Sequence, residues 1–185
     1  PFMPTGTALG SDLYQTNPNL KTMVCPFTGR KLTAVRAIQP DVTIIHAQRC
    51  DEYGNAHVWG NMGITREACL AGRSVIVTAE EIVAPEVINS DPNRVVTPGF
   101  RVTAVVHAPW GAHPSPAPGH YNRDHRAFLE YRDASRTEEA FRRWLKKWVD
   151  DVRIPADYLR LLGKNRLREL ALKQHLFSEP VDYGY

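Results

Sequence analysis

Three short apolar runs stand out in the pattern of hydrophobic and polar positions. They are DVTIIHA (41–47), SVIVTA (74–79) and RVTAVVH (101–107), and each is rich in β-branched residues. Near-continuous apolar character over so few residues predicts strands buried on both faces, as in a parallel sheet covered by helices. A helix over residues 65–72 is expected to connect the first strand to the second, and a shorter helix should begin near Pro85.

The first forty residues have a different pattern, because prolines and glycines interrupt them repeatedly. Such residues mark turns and loops. Only two short strands are expected in this part, over residues 21–25 and 31–37.

From Tyr121 onward the apolar residues recur with a helical period. One helix is expected over residues 124–134. Ser135 with Glu138 three positions later matches a capping box, which predicts the start of a second helix. That helix carries an apolar stripe with arginine and lysine largely away from it. The stripe consists of Phe141, Trp144, Leu145, Trp148 and Val152.

Two further helices complete the predicted fold. Pro155 can begin the third and Gly163 can end it, and the fourth is expected over residues 165–176. The fold class is therefore α/β: an open, mostly parallel sheet covered by helices, with a C-terminal helical extension. We expect an α/β domain over residues 1–120 and the extension over residues 121–185.

Composition excludes several classes of protein. No apolar run approaches the roughly 20 residues that a membrane helix needs, and the first residues do not have the pattern of a secretory signal. We therefore expect a cytoplasmic protein that does not contact a membrane. The three cysteines, Cys25, Cys50 and Cys69, fit neither a disulfide framework nor a zinc motif, so we expect free thiols.

The net charge of +3 is mild, and the basic excess lies late in the chain. Binding of nucleic acid through these basic residues is one interpretation. A solvated helical face is the interpretation we favour, and we expect no nucleic-acid partner.

Candidate chemistry follows from the predicted sheet. In open α/β sheets, ligands bind beyond the carboxyl ends of the strands, which selects the loops after the three apolar runs. The candidates for a substrate pocket are the polar residues of these loops: Gln48, Asp51, Asn55, Glu80, Glu81 and His113.

Most of these candidates have a structural alternative. Asp51 and Asn55 can form a turn around Gly54 instead of contacting a substrate. Glu80 and Glu81 are adjacent, so their side chains should point to opposite faces of a strand and cannot form a close carboxylate pair. Either one faces the site and the other caps the next helix, or both are structural, which we favour.

Other catalytic chemistry has weaker support. Cys50 lies near His46 and His57 in sequence, but a nucleophilic pair needs a lowered thiol pKa and direct contact, and sequence proximity shows neither. The histidines lack the spacing of metal ligands, so no metal site is expected. The residues alone identify no reaction.

Several longer motifs carry a resemblance to a known family. They are PFMP (1–4), LGSDL (9–13), CPFTG (25–29), PDVTIIHAQRCDEYGNAHVWG (40–60), VIVTAEEIV (75–83), SDPNR (90–94), TPGFRVTAVVHAPWGAHPS (97–115) and GHYNRDHRAF (119–128). On these motifs the chain resembles the A subunit of family I CoA-transferases of the glutaconate CoA-transferase type. Residues 41–55 and the EEIV motif also look like 3-oxoacid CoA-transferases. PGF before the third strand and GAHP after it are similar to the glutaconate branch.

The resemblance implies a parallel α/β fold in each of two similar subunits, which form a heterodimer or an α2β2 heterotetramer. It implies that CoA moves between carboxylic acids through a glutamate of the partner B subunit, so no catalytic residue is expected in this chain. No bound cofactor is expected, and a CoA thioester is the substrate. The chain would supply a wall of the acid pocket and much of the subunit interface, with the helical extension packing on the domain or the partner.

The early Gly-Gly-Phe-type loop of the family is absent from the sequence. We therefore expect the chain to be the C-terminal portion of an A subunit, catalytically incomplete by itself. Two alternatives remain open. The same scaffold can act as a ring-opening acyl-CoA hydrolase or a decarboxylase, or the chain can be a non-catalytic assembly subunit whose Trp144 and Trp148 helix docks a partner.

Overall fold

A computed structural model of the chain describes residues 1–173. The chain divides into two compact units, Pro1–Pro40 and a second unit that begins at Asp41. The division near residue 120 into an α/β domain and a helical extension stays a prediction.

The first unit is built on an antiparallel sheet. Its strands are β1 (Phe2–Thr5), β2 (Leu20–Val24) and β3 (Lys31–Arg36) in the order β1-β3-β2, with a short helix α1 (Leu13–Thr16) between the first two in sequence. Thr33 is fully buried, and its hydroxyl donates to the carbonyl of Thr7 while it accepts a hydrogen bond from Tyr14. The two expected strands are confirmed. The sequence did not predict strand β1, because Pro4 and Gly6 in this segment are typical of a turn.

The second unit contains a five-stranded sheet. Its strands are β4 (Val42–Cys50), β5 (Ala56–His57), β6 (Ser74–Ile82), β7 (Val95–Thr97) and β8 (Ala104–His107), in the order β7-β5-β4-β6-β8. Strands β4, β6 and β8 are parallel neighbours, and β5 and β7 join them antiparallel. Ala47 pairs with Ala79, which pairs with His107. The three predicted strands therefore lie side by side with their tips aligned.

The strand ends differ from the expected ones. Strands β4 and β6 continue to Cys50 and Ile82, so the polar residues Gln48, Glu80 and Glu81 lie within strands. Strand β8 begins later than expected, because Gly99–Arg101 form a 3-10 turn.

The core lies on one face of the parallel strands, where helix α2 (Thr65–Ala71) covers them. Val75, Val77 and Cys69 are fully buried there, and burial of each valine side chain contributes about 1.5–3 kcal/mol. On the opposite face Ile44 is 67% exposed and Val106 is 45% exposed. Within residues 1–173, the parallel strands are therefore buried on one face and partly exposed on the other, and not buried on both faces as the sequence predicted.

The remaining helices are α3 (Pro85–Asn89), α4 (His125–Ala134), α5 (Glu138–Leu145), α6 (Pro155–Leu162) and α7 (Lys164–Leu170), with a π-helical turn at Lys146–Asp150 after α5. They confirm the predicted helical segments, except that α7 ends at Leu170, before the predicted end of the fourth helix. The capping box predicted at Ser135 is wrong: Thr137 caps α5 by accepting from the Ala140 amide, and Ser135 ends α4. Residues 174–176 of the fourth predicted helix lie outside the described residues.

The aromatic stripe of α5 and its continuation is half-buried. Trp144 makes an edge contact with Tyr131, with ring centres 5.1 Å apart, and Trp148 makes one with Tyr158 at 5.8 Å. Arg142 points away from the stripe and pairs with Glu138. Within residues 1–173, no helix combines the length and apolar character of a membrane span.

Candidate functional site

A cleft of about 570 Å³ lies at the carboxyl ends of the parallel strands. Its lining comes from the end of β4, from the segment after β5 and from the loop after β8. The residues are His46, Gln48, residues 58–61, Thr65, Ala112, residues 115–118 and Arg123. The cleft therefore occupies the position where open α/β sheets bind ligands.

A buried carboxylate, Glu80, lies next to His46 of the cleft. Its Oε1 accepts hydrogen bonds from the Tyr121 hydroxyl at 2.6 Å and from Nε2 of His46 at 2.7 Å. Its Oε2 accepts from the amide of Trp110 at 2.7 Å. Burial alone raises the pKa of Glu80, but the hydrogen bonds from His46, Tyr121 and Trp110 outweigh it and hold the pKa below its ordinary value. Both carboxylate oxygens of Glu80 therefore already accept hydrogen bonds from the protein.

His46 is held at both ring nitrogens. Nδ1 lies 2.8 Å from the hydroxyl of Thr78, whose proton is donated to the carbonyl of Ile45. Nε2 lies 2.7 Å from Oε1 of Glu80, so both ring nitrogens have a hydrogen-bond partner and the orientation of the ring is fixed. A Cβ on Gly111 would lie 2.7 Å from Cε1 of the ring, so the glycine permits the loop to approach His46.

Glu80 also fixes the loop after β8. Trp110 has a φ of 65°, and its ring stacks on Tyr121 with centres 4.2 Å apart. The Tyr121 hydroxyl accepts from the amide of Ala112 at 2.9 Å while it donates to Glu80. Burial and the neighbouring carboxylate raise the pKa of Tyr121, so it remains a donor. These hydrogen bonds fix the loop after β8, from which Ala112 and residues 115–118 line the cleft.

Among the sequence candidates, Gln48 lies in the cleft. Its amide is engaged with the backbone of Trp59, since Nε2 donates to the carbonyl at 2.9 Å and Oε1 accepts from the amide at 3.3 Å. Gln48 therefore ties the end of β4 to the segment after β5.

Asp51 and Asn55 organise a turn. Oδ1 of Asp51 accepts from the amides of Tyr53 and Asn55 at 3.0 and 2.9 Å, and its Oδ2 accepts from the Asn55 side chain at 2.8 Å. Oδ1 of Asn55 accepts from the amide of Gly99 at 2.8 Å. Gly54 has a φ of 93°, which favours glycine. Neither polar side chain lines the cleft.

Glu81 and His113 also lie outside the cleft lining. Glu81 is half-exposed, 3.9 Å from Nδ1 of His120, and it does not cap α3. Nε2 of His113 lies 2.9 Å from Asp124, which also pairs with Arg166. Burial lowers the pKa of His113 despite the opposing effect of Asp124.

The structure gives Cys50 no nucleophilic character. It is fully buried and its thiol donates to the carbonyl of Asp51. Burial, followed by the charge of Asp51, raises the pKa of Cys50 to about 12. In residues 1–173, no group of three or more histidine, cysteine or acidic residues is placed to hold a metal ion.

Sequence reasoning missed the importance of His46, Trp59 and Arg123. The one available signal for His46 was a polar residue inside an apolar run, at a position that alternates with the buried Ile45 and Ala47. The guanidinium carbons of Arg49 and Arg94 lie 5.1 and 5.4 Å from the centre of the Trp59 ring. Of the described residues, no aspartate or glutamate lines the cleft, so its charged lining is basic.

Comparison with known proteins gives a consistent result. A model of the coenzyme A transferase family matches residues 2–108. The chain is 44% identical over 149 residues to the A subunit of 3-oxoadipate CoA-transferase from Pseudomonas knackmussii, covering 80% of this chain and 52% of the relative. It is 41% identical over 142 residues to the A subunit of glutaconate CoA-transferase from Acidaminococcus fermentans, covering 77% and 44%. The chain thus spans about half the length of these curated relatives.

The solved structures extend the likeness to three dimensions. Against the crystal structure of glutaconate coenzyme A-transferase from Acidaminococcus fermentans the TM-score is 0.88 at 36% identity, covering 96% of this chain and 61% of that chain. The decarboxylase AibA/AibB gives a TM-score of 0.59 at 34% identity, covering 79% and 54%.

Proposed function

Because this chain belongs to the coenzyme A transferase family, we propose that it forms part of the A subunit of an enzyme that transfers CoA between an acyl-CoA and a carboxylic or dicarboxylic acid. Relatives that are A subunits of 3-oxoadipate and glutaconate CoA-transferases support this function. A cytoplasmic location is part of the proposal, and free thiols at all three cysteines are compatible with it.

The observation that carries the proposal is the cleft with a basic lining at the aligned strand tips. An acid substrate carries a carboxylate, which a basic cleft attracts. The backbone there is held by the bonds of Glu80 and Gln48, so the wall is preorganised before substrate binds.

The nucleophile in this proposal is a glutamate of a partner B subunit. Its carboxylate attacks the acyl-CoA thioester, expels CoA as thiolate and forms a mixed anhydride. The thiolate attacks the glutamyl carbonyl and releases the first acid, leaving a glutamyl-CoA thioester. The acceptor acid then repeats these steps in reverse order. Glu80 is unsuited to this role, because its oxygens are buried and already accept three hydrogen bonds.

The two subunits would form a heterodimer or an α2β2 heterotetramer. Both curated relatives are named as one subunit of a larger enzyme, which supports a partner, and the cleft lacks a carboxylate nucleophile from residues 1–173. CoA is a substrate in this scheme and not a resident cofactor.

The test uses the complex of this chain with its partner B subunit. Incubation with an acyl-CoA followed by borohydride should reduce a glutamyl-CoA thioester and leave a modified glutamate that peptide mass spectrometry finds in the partner. The untreated complex and a partner Glu→Ala variant are the controls. Turnover of acyl-CoA without a trapped adduct would contradict the transferase mechanism.

A second function uses the same scaffold for hydrolysis or decarboxylation of a CoA ester. Supporting relatives are the cholesterol ring-cleaving hydrolase IpdA subunit of Rhodococcus jostii, at 27% identity over 158 residues, and the AibA/AibB decarboxylase structure. A partner without glutamate at the nucleophile position would favour this second function, since it leaves no group to carry CoA.

A further inference from the structure

Arg123 is held in place at the edge of the cleft. Its guanidinium carbon lies 4.1 Å from the centre of the Phe128 ring, and Nη1 donates to Nδ1 of His125 at 3.0 Å. A guanidinium supported by a ring and a hydrogen bond loses less conformational freedom when it binds an anion.

The surroundings of Arg123 suit a carboxylate. The polar groups of Asn61 and Ser115 line the same cleft, as does the ring of His46. Arginine is the side chain whose planar donors match both oxygens of a carboxylate.

We propose that Arg123 binds the carboxylate of a dicarboxylic substrate that does not react, and so determines the preference for diacids. The proposal rests on the proposed function. The reacting carboxylate becomes a thioester during CoA transfer and loses its charge. The second carboxylate keeps its charge in both the free acid and the acyl-CoA, so an ion pair with Arg123 persists on both sides of the reaction.

This persistence gives the proposal a kinetic signature. An interaction that is equally strong in ground state and transition state affects KM and leaves kcat unchanged. Loss of Arg123 should therefore raise KM for the diacid and for its CoA ester by the same factor. A monocarboxylic acid and its CoA ester should be unaffected.

The experiment compares Arg123→Gln with the wild-type chain, each in complex with the partner B subunit. The probes are succinate, glutarate and adipate, each matched with the monocarboxylate of the same chain length, and the corresponding CoA esters in the reverse direction. For the preferred diacid and its ester we expect KM to rise about 10- to 100-fold, which is typical for loss of a hydrogen bond between charged groups. The monocarboxylate KM should stay within about twofold.

Two variants serve as controls. Arg126→Gln removes the same charge from an exposed position of α4 outside the cleft lining and should leave all KM values unchanged. Arg123→Lys keeps the charge without the planar donors and should restore diacid binding in part.

Other outcomes overturn the proposal. A rise in KM for the free diacid alone would mean that Arg123 binds the reacting carboxylate. An equal rise for every CoA ester would mean that it binds the CoA moiety. If the complex transfers CoA to no acid, the proposed function fails, and NMR titration of the chain with glutarate and its monomethyl ester tests Arg123 directly. Glutarate should then bind more tightly than the ester, and Arg123→Gln should abolish the difference; no difference in the wild-type chain would refute the assignment.

Discussion

Nε2 of His46 lies 2.7 Å from Oε1 of Glu80, and this hydrogen bond joins neighbouring strands at the cleft. The side chains are 18% and 4% exposed, so water screens the pair weakly. Since Glu80 also accepts from Tyr121 and Trp110, it connects the strands to the loop that forms a cleft wall.

Glu80→Gln should lower the free energy of unfolding of the chain by about 1–3 kcal/mol, as expected when a buried carboxylate that accepts several hydrogen bonds is replaced. The glutamine amide has nearly the same shape as the carboxylate. Its NH2 group is a hydrogen-bond donor, however, and it would face donors from which the carboxylate oxygen accepted. Urea unfolding measures the loss. The matched control is Glu81→Gln, half-exposed on the same strand, which should change stability by less than about 0.5 kcal/mol. Equal losses for both variants would show that the Glu80 network does not stabilise the fold.

The stabilising effect of Glu80 should depend on pH. Burial alone would raise its pKa, but the hydrogen bonds from His46, Tyr121 and Trp110 outweigh burial and keep the pKa in the folded chain below the ordinary value of 4.5. The unfolded state therefore takes up a proton first as the pH falls, and the stability contributed by the ionised carboxylate is lost from about pH 5 downward. The difference in unfolding free energy between wild type and Glu80→Gln should shrink from about pH 6 to about pH 4. A difference that stays constant would contradict an ionised Glu80 with a lowered pKa.

The three thiols should differ in reactivity. Hydrogen bonds from the Thr28 side chain and from the amides of Phe27 and Thr28 lower the pKa of the partly exposed Cys25. Burial raises the pKa of Cys50 to about 12 and also raises the pKa of Cys69. A disulfide reagent should therefore modify Cys25 rapidly in the native chain and the other two only in denaturant. Cys25→Ser should remove the rapid phase, and a rapid phase that survives would show that a second thiol is accessible.

Gly99→Ala should destabilise the turn that Asp51 and Asn55 organise. A Cβ at Gly99 would lie 2.4 Å from the carbonyl oxygen of Tyr53, which is a backbone atom and cannot rotate away. We expect a loss of about 1–3 kcal/mol, typical of overpacking, in a urea or thermal unfolding experiment. Gly6→Ala is the control, since no atom lies within 4 Å of its added Cβ. A neutral Gly99→Ala would show that the turn has room to shift.

The sequence predicted the elements that depend on local pattern. Apolar runs located β4, β6 and β8, and the segments ending near Ala47, Ala79 and His107 do lie in parallel with aligned tips. Longer motifs identified the coenzyme A transferase family, which the family match confirmed. Local pattern was less reliable at element ends, where Thr137 and not Ser135 caps the helix.

The candidate site shows what local pattern cannot give. Of the segments that the sequence selected, those at the ends of β4 and β8 supply only Gln48 and Ala112 to the cleft, and residues 58–61 of the lining were not selected. Asp51 is engaged by its own turn, and His113 pairs with Asp124. His46 and Arg123 are far apart in sequence and share one cleft.

By itself, the sequence of this protein determined its three parallel strands, the position of its helices and its family, because these follow from hydrophobic periodicity and from motifs of neighbouring residues. Only the tertiary structure decided which polar groups are already bonded and which line the cleft. The physical reason is that a polar side chain becomes unavailable to a ligand when it forms hydrogen bonds within the protein. Partners such as Glu80 and Tyr121 are far apart in sequence and come into contact only when the chain folds.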